Sequence, residues 1–179
     1  MGGYGSGYAV WKDRKTTVED CLRLSIDRLV RDGVLQRQWV SGSRAWTNRT
    51  TGQRIAAVGY QVEPILDDGL VFRLLYTRTI RGEKHEIDLP VYLTKTWPHF
   101  GGVRWWFTCP LIVNGVACSR RVAKLYLPSG TKYFGCRHCH DLTYTSCQES
   151  HKFDAFHELI GRQIGMSGKV VARVLKGLF

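Results

Sequence analysis

Cys136 and Cys139 lie two residues apart in the run Phe134-Gly-Cys-Arg-His-Cys-His140, a spacing that lets one turn hold one metal ion through two thiolates. Two ligands do not close a tetrahedron, so a second pair is required. Cys109 and Cys118 supply it, eight residues apart, and the full pattern reads C-x8-C-x17-C-x2-C. A seventeen-residue spacer is what a hairpin needs to leave one turn and return to the other. Within it Val122 and Leu125-Tyr126-Leu127 read as the outgoing strand, Pro128-Ser129-Gly130 as the turn, and Lys132-Tyr133-Phe134 as the returning strand. Four protein ligands leave no coordination position for water, so such a centre is structural and does not hydrolyse a substrate.

The elements that must position these thiols are legible in part. Thr16 and Glu19 form a capping-box pattern, Val18, Leu22, Ile26 and Leu29 share one helical face, and Gly33 supplies a stop, which predicts an N-terminal helix. Cys21 falls on its apolar side and reads as a buried thiol. From residue 36 to about 108 short alternating runs are separated by turn residues: Thr50-Thr51-Gly52, Asp67-Asp68-Gly69 and Arg81-Gly82-Glu83. This predicts an antiparallel sheet of five or more strands. His85, Ile87, Leu89, Val91 and Leu93 alternate with polar residues, and Pro90 suggests an edge strand. Trp105 and Trp106 are adjacent, so in an extended strand at most one of them faces the core, and the other is left to cover the metal site or to lie exposed for stacking on a base.

After residue 150 the period becomes helical. Phe153, Phe156, Ile160 and Ile164 make one stripe, Val170, Val171, Val174 and Leu175 another, and Gly165 to Gly168 divides them, which predicts a C-terminal helical hairpin. The expected class is α+β: N-terminal helix, antiparallel β-sheet, a four-cysteine metal unit and the helical hairpin. The corresponding segments are 1–15 (a glycine-rich arm), 16–108 (helix plus sheet), 109–145 (metal unit) and 146–179 (helical tail).

Charge bears on partners. The chain of 179 residues carries 26 Lys and Arg against 15 Asp and Glu, net +11, and residues 101–179 alone hold eleven basic and four acidic groups. That excess favours a polyanion. Arg120, Arg121, Lys124, Lys132 and Arg137 around the thiols and Lys169, Arg173 and Lys176 in the tail are the candidate nucleic-acid contacts. Six cysteines without an apolar secretory leader suit a cytoplasmic protein whose thiols stay reduced, and read better as ligands or packed thiols than as disulfides. Cys147 has no spacing partner and reads as packing.

The run FTCP…CSRR…KYFGCRHC resembles the zinc-ribbon motif with a lengthened first knuckle. That resemblance implies one structural Zn2+ held by Cys109, Cys118, Cys136 and Cys139. The eight-residue gap departs from the usual two to four, which leaves His138 or His140 as alternatives to Cys118. The tail resembles the helix-turn-helix of lactose-repressor-type proteins, with Gly161 at the small position, Gly165 at the turn and Ser167 as the cap. The resemblance implies Ser167, Lys169, Arg173 and Lys176 as contacts to DNA, while Gly168 departs from the pattern. Residues 100–145 are also similar to a bacterial, often mobile-element-associated family sharing GG-x-RWWF-x-CP and F-x-CR-x-CH-x-LTY, which implies relatives and no activity.

Three functions are compatible with these features. The leading one is a nucleic-acid-binding protein, DNA-binding and regulatory, with DNA or RNA as partner. The alternative is a phage or mobile-element interaction module, an inhibitor or adaptor docking on a host protein or nucleoprotein complex. The third is a nuclease built on His140-Asp141 with His151, Asp154, His157 and Glu158. Solvated helix faces produce such sets routinely, and the expectation is a protein that is not an enzyme.

Overall fold

The computed structural model describes residues 15–35, 39–48, 50–65, 69–149 and 154–176. Its contacts divide the chain into two compact units, Asp20–Leu142 in one and Met1–Glu19 with Thr143–Phe179 in the other.

The larger unit is a sheet with a covered face. Strands β2 (Val40–Thr47), β3 (Arg54–Pro64), β4 (Leu70–Ile80), β5 (Glu83–Thr96), β6 (Arg104–Thr108) and β9 (Arg121–Val122) pair antiparallel in the order β2-β3-β4-β5-β6-β9. The β4–β5 reversal is a two-residue turn in which Arg81 and Gly82 both take positive φ, 51° and 85°, the handedness that matches strand twist. Side-chain alternation then decides what is buried. Val58, Val62, Phe72, Leu74, Ile87, Val91, Leu93 and Phe107 face one side and form the core.

That side is covered by a second, smaller layer. Strand β1 (Leu22–Ser25) pairs antiparallel with β10 (Lys124–Leu127), and helix α1 (Ile26–Arg31) follows directly. Leu24, Ile26, Leu29, Leu125, Leu127 and Phe134 are all buried in the same cluster as the sheet residues. Strands β7 (Ile112–Val113) and β8 (Val116–Ala117) form a separate small hairpin.

The expected α+β class is overturned: strand residues outnumber helical ones about two to one, and only four short α-helices occur among the described residues. The predicted N-terminal helix is replaced by a 3-10 turn (Val18–Asp20), β1 and a six-residue α1. β10 carries a continuous apolar run whose backbone needs a partner, and β1 meets that need with Leu24 pointing in. Tertiary pairing overrides a local helical period there. Glu19 does cap a helix, but not its own. Its carboxylate accepts from the backbone N–H and hydroxyl of Thr145, both at 3.1 Å, at the start of α2 (Thr145–Glu149).

The predicted C-terminal helical hairpin is corrected as well. The smaller unit carries two short helices, α3 (Asp154–Ile164) and α4 (Gly168–Lys176), yet of the expected stripes Val171 is buried while Ile164, Val170 and Val174 are exposed. With Ile164, Val170 and Val174 left in solvent, the expected stripes do not close into a hairpin core. Residues 1–14 of the arm expected over 1–15, the Asp67-Asp68 reversal, His151 and Phe153 lie outside the described residues.

Two smaller expectations change. β5 is not an edge strand, since it lies between β4 and β6. Pro90 is tolerated because it pairs only with Arg73 of β4, before the β6 pairing begins at Leu93. The arm returning from Pro128 is not a strand. It makes a bridge of Tyr126 with Gly135, and β4 holds it from below: Tyr76 Oη donates to Lys132 O at 2.7 Å, and Arg78 donates to Thr131 O and Pro128 O at 3.2 and 2.9 Å. Burial of Tyr76 pushes its phenol up to about 12, so it remains a donor throughout the physiological range. No helix among the described residues is long and apolar enough to cross a membrane.

Candidate metal centre

Three local devices deliver the four thiols. Cys109 follows β6 directly, and its N–H donates to Arg120 O at 2.9 Å. Cys118 ends the β7–β8 hairpin, with its N–H on Leu111 O at 2.9 Å. Asn114 and Gly115 at the hairpin tip take φ of 52° and 77°, the two-residue turn that Asn-Gly favours. The long gap between Cys109 and Cys118 is therefore this hairpin, which brings its two ends back together. Cys136 and Cys139 sit on one tight turn closed by the His140 N–H on Cys136 O at 3.3 Å.

The four sulfurs all lie within 4.8 Å of one another, with Cys109 and Cys136 buried and Cys118 and Cys139 half-buried. The closest separations are 3.8 Å for Cys109–Cys139, 3.8 Å for Cys118–Cys136 and 3.5 Å for Cys136–Cys139. A tetrahedron with Zn–S near 2.3 Å has edges of roughly 3.8 Å, so the sulfur set fits a four-thiolate metal site. These separations are far from the roughly 2.05 Å of a disulfide, and none of the six cysteines is in a disulfide.

The surroundings are built for thiolates. The Cys136 N–H donates to Cys109 Sγ at 3.3 Å and the Cys139 N–H to Cys136 Sγ at 3.4 Å, which orients the ligands and offsets their charge. Burial pushes the Cys109 thiol up to about 11 and raises Cys139 further. Cys118 moves the other way: burial raises it, but the Arg120 backbone N–H and the thiols of Cys139, Cys109 and Cys136 outweigh that and favour its thiolate. A group that resists losing its protons alone, while being packed to within sulfur contact, is what a dication resolves.

Among the described residues neither His138 nor His140 joins the thiol group, so Cys118 takes the fourth place. His140 is instead half-buried, with Nε2 lacking a partner and its pKa lowered by burial. Gly135 marks how tight the packing is. A Cβ there would overlap the Leu111 side chain and lie 2.9 Å from His140 Nε2. Gly135→Ala is expected to cost about 1–3 kcal/mol through overpacking, read as a lower urea midpoint with an unchanged slope.

The candidate cations are dispersed. Arg120, Arg121 and Lys124 are exposed, Lys132 and Arg137 are half-buried, and Lys169 and Arg173 are exposed on α4, which also contains Lys176. Arg120 and His138 share a surface depression with Cys118 and Cys139, so the half-buried side of the sulfur set faces a basic rim. Cys21 is half-buried and Cys147 exposed, so the packing expected of Cys147 does not occur. The tryptophan doublet is a candidate for base stacking, but the cations that pair with its rings, from β5 and β6, are not singled out by residue spacing. Lys95 lies 4.7 Å from the Trp105 ring and Arg104 lies 4.2 Å from that of Trp106. The signal available was the cation one residue before the Trp doublet. No family model, no curated protein and no solved structure matches the chain.

Proposed function

We propose that this is a small basic nucleic-acid-binding protein, with DNA the leading partner, whose four cysteines hold one structural Zn2+. Zinc is favoured over iron because a four-thiolate tetrahedral set suits it and no neighbouring group points to redox work. The observation that carries the reading is the closed sulfur set with Arg120 and Arg121 exposed immediately beside it. Four thiolates around one dication leave about two negative charges locally, which Arg137, next to the ligand Cys136, offsets in part. The rest of the +11 charge remains for phosphates.

Counterion release supplies the test. Binding of a labelled DNA oligonucleotide, followed by fluorescence anisotropy, is expected to weaken steeply from low to moderate salt. The double variant Arg120→Glu, Arg121→Glu is expected to reduce the slope of log affinity against log salt by about two, near 0.9 for each phosphate no longer neutralised. Absence of binding at low salt ends the reading. A protein partner is the second reading, favoured by the exposed apolar tip formed by Ile112, Val113 and Val116. Stoichiometric, nuclease-insensitive capture of one host protein would support it.

A further inference from the structure

We propose that the outer face of the sheet where β5, β6 and β9 lie side by side is a stacking platform for single-stranded nucleic acid. This deepens the nucleic-acid reading above and rests on it.

Strand alternation and register assemble the platform. Since Val91 and Leu93 of β5 point into the core, Tyr92, Thr94 and Thr96 point out. Trp106 pairs with Thr94 and Arg104 with Thr96, while Arg121 of β9 pairs with Thr108. Phe107, between them, is buried against Phe72 on the opposite face. Tyr92, Trp106, Arg104 and Arg121 therefore share one face across three adjacent strands. The tryptophan doublet is divided: Trp105 packs against the core and Trp106 belongs to the platform.

The rings are held ready. The Trp106 indole N–H donates to Thr96 Oγ1 at 2.8 Å, which fixes the ring plane, and the Arg104 guanidinium lies over that ring at 4.2 Å. Groups already locked in place lose little freedom when a ligand arrives. Tyr92 is 56% exposed. Beyond the strand ends, the β5–β6 connection presents Trp97 at 74% and Phe100 at 99% exposure, so aromatic surface continues from the sheet into the loop.

Charge identifies the occupant. Elsewhere on the same face Arg73 is consumed by Glu63 at 2.9 Å and by both oxygens of Asp88 at 3.0 and 2.9 Å. Arg104 and Arg121, by contrast, have no carboxylate partner among the described residues. Two uncompensated guanidinium groups among aromatic rings complement a chain that alternates phosphates with flat bases. Stacking on a protein ring requires bases not already stacked in a duplex, which selects a single strand.

The test uses the full-length, metal-loaded protein and a fluorescein-labelled oligothymidylate of about twelve nucleotides, within the usual span of one such surface. Single-stranded binding is expected to quench tryptophan fluorescence and to be tighter than binding to a duplex of equal length. Phe100→Ala and Arg104→Ala, both at exposed positions, are each expected to weaken it about tenfold with an unchanged thermal midpoint. Arg28→Ala, exposed on α1 in the layer that covers the opposite side of the sheet, is expected to leave it within about twofold. Equal or tighter duplex binding, or loss of affinity in Arg28→Ala but not in the platform variants, overturns the platform and leaves the general nucleic-acid reading standing. Concentration-dependent dimerisation abolished by Phe100→Ala, with oligonucleotide affinity unchanged, also overturns it in favour of a second copy. No binding to either form at low salt removes both.

Discussion

Replacing Cys136 by Ser, or removing the metal with a strong chelator, is expected to lower the thermal midpoint of unfolding by tens of degrees. Cys136 is fully buried, and its sulfur lies 3.5 Å from that of Cys139 and 3.8 Å from that of Cys118. Its N–H also donates to Cys109 Sγ, so this one residue touches every other ligand. Structural zinc binding contributes on the order of 10–16 kcal/mol in small peptides, comparable to the roughly 5–15 kcal/mol that holds a whole domain folded. The region that depends on it has little else to hold it. β7, β8 and β9 are two residues each, and the turn over residues 136–139 has no strand partner of its own. Amide exchange is expected to accelerate first at residues 109–122 and 135–142, while β3 and β4 remain protected. Metal content near zero in freshly prepared protein, or an unchanged midpoint in metal-free protein, would refute the centre.

Phe134→Ala is expected to cost about 3–5 kcal/mol, measured as a shift of the urea midpoint, and to weaken metal binding as well. Phe134 is fully buried, stacked on Trp46 at a centroid distance of 6.2 Å and edge-on to Tyr76 at 5.6 Å. It stands two residues before Cys136, and its neighbours in sequence are tied down by the Tyr76 and Arg78 bonds from β4. The ring thus joins the thiol turn to the sheet core. Because Phe134 and Cys136 hold the same segment, their substitutions should be less than additive when combined, whereas Phe134→Ala with a change at Arg73, on the opposite face, should add. Full additivity between Phe134 and Cys136 would show that the metal site and the core are energetically separate.

Much of this architecture is written locally. Alternation along residues 83–96 predicts β5 and its buried face, Asn114-Gly115 marks a turn that the structure builds into a hairpin, and the doublet Trp105-Trp106 implies at most one ring in the core. The C-x8-C-x17-C-x2-C spacing singles out the four thiols that the fold brings within 4.8 Å. Period-two alternation, turn conformation and short ligand spacings depend on neighbours a few residues away, so sequence alone carries them.

What the tertiary structure decided is partnership across long stretches of chain. Residues 18–31 carry a convincing helical period, yet β10, about a hundred residues later, takes Leu22–Ser25 as its strand partner. Glu19, placed to cap its own helix, instead caps α2 through Thr145. The outer face of Tyr92, Trp106, Arg104 and Arg121 exists only because three strands from different parts of the sequence fall into register. A segment's own preferences are worth a few tenths of a kcal/mol per residue, whereas satisfying the backbone of a buried apolar strand is worth more than that at every hydrogen bond. Long-range pairing therefore wins wherever the two disagree.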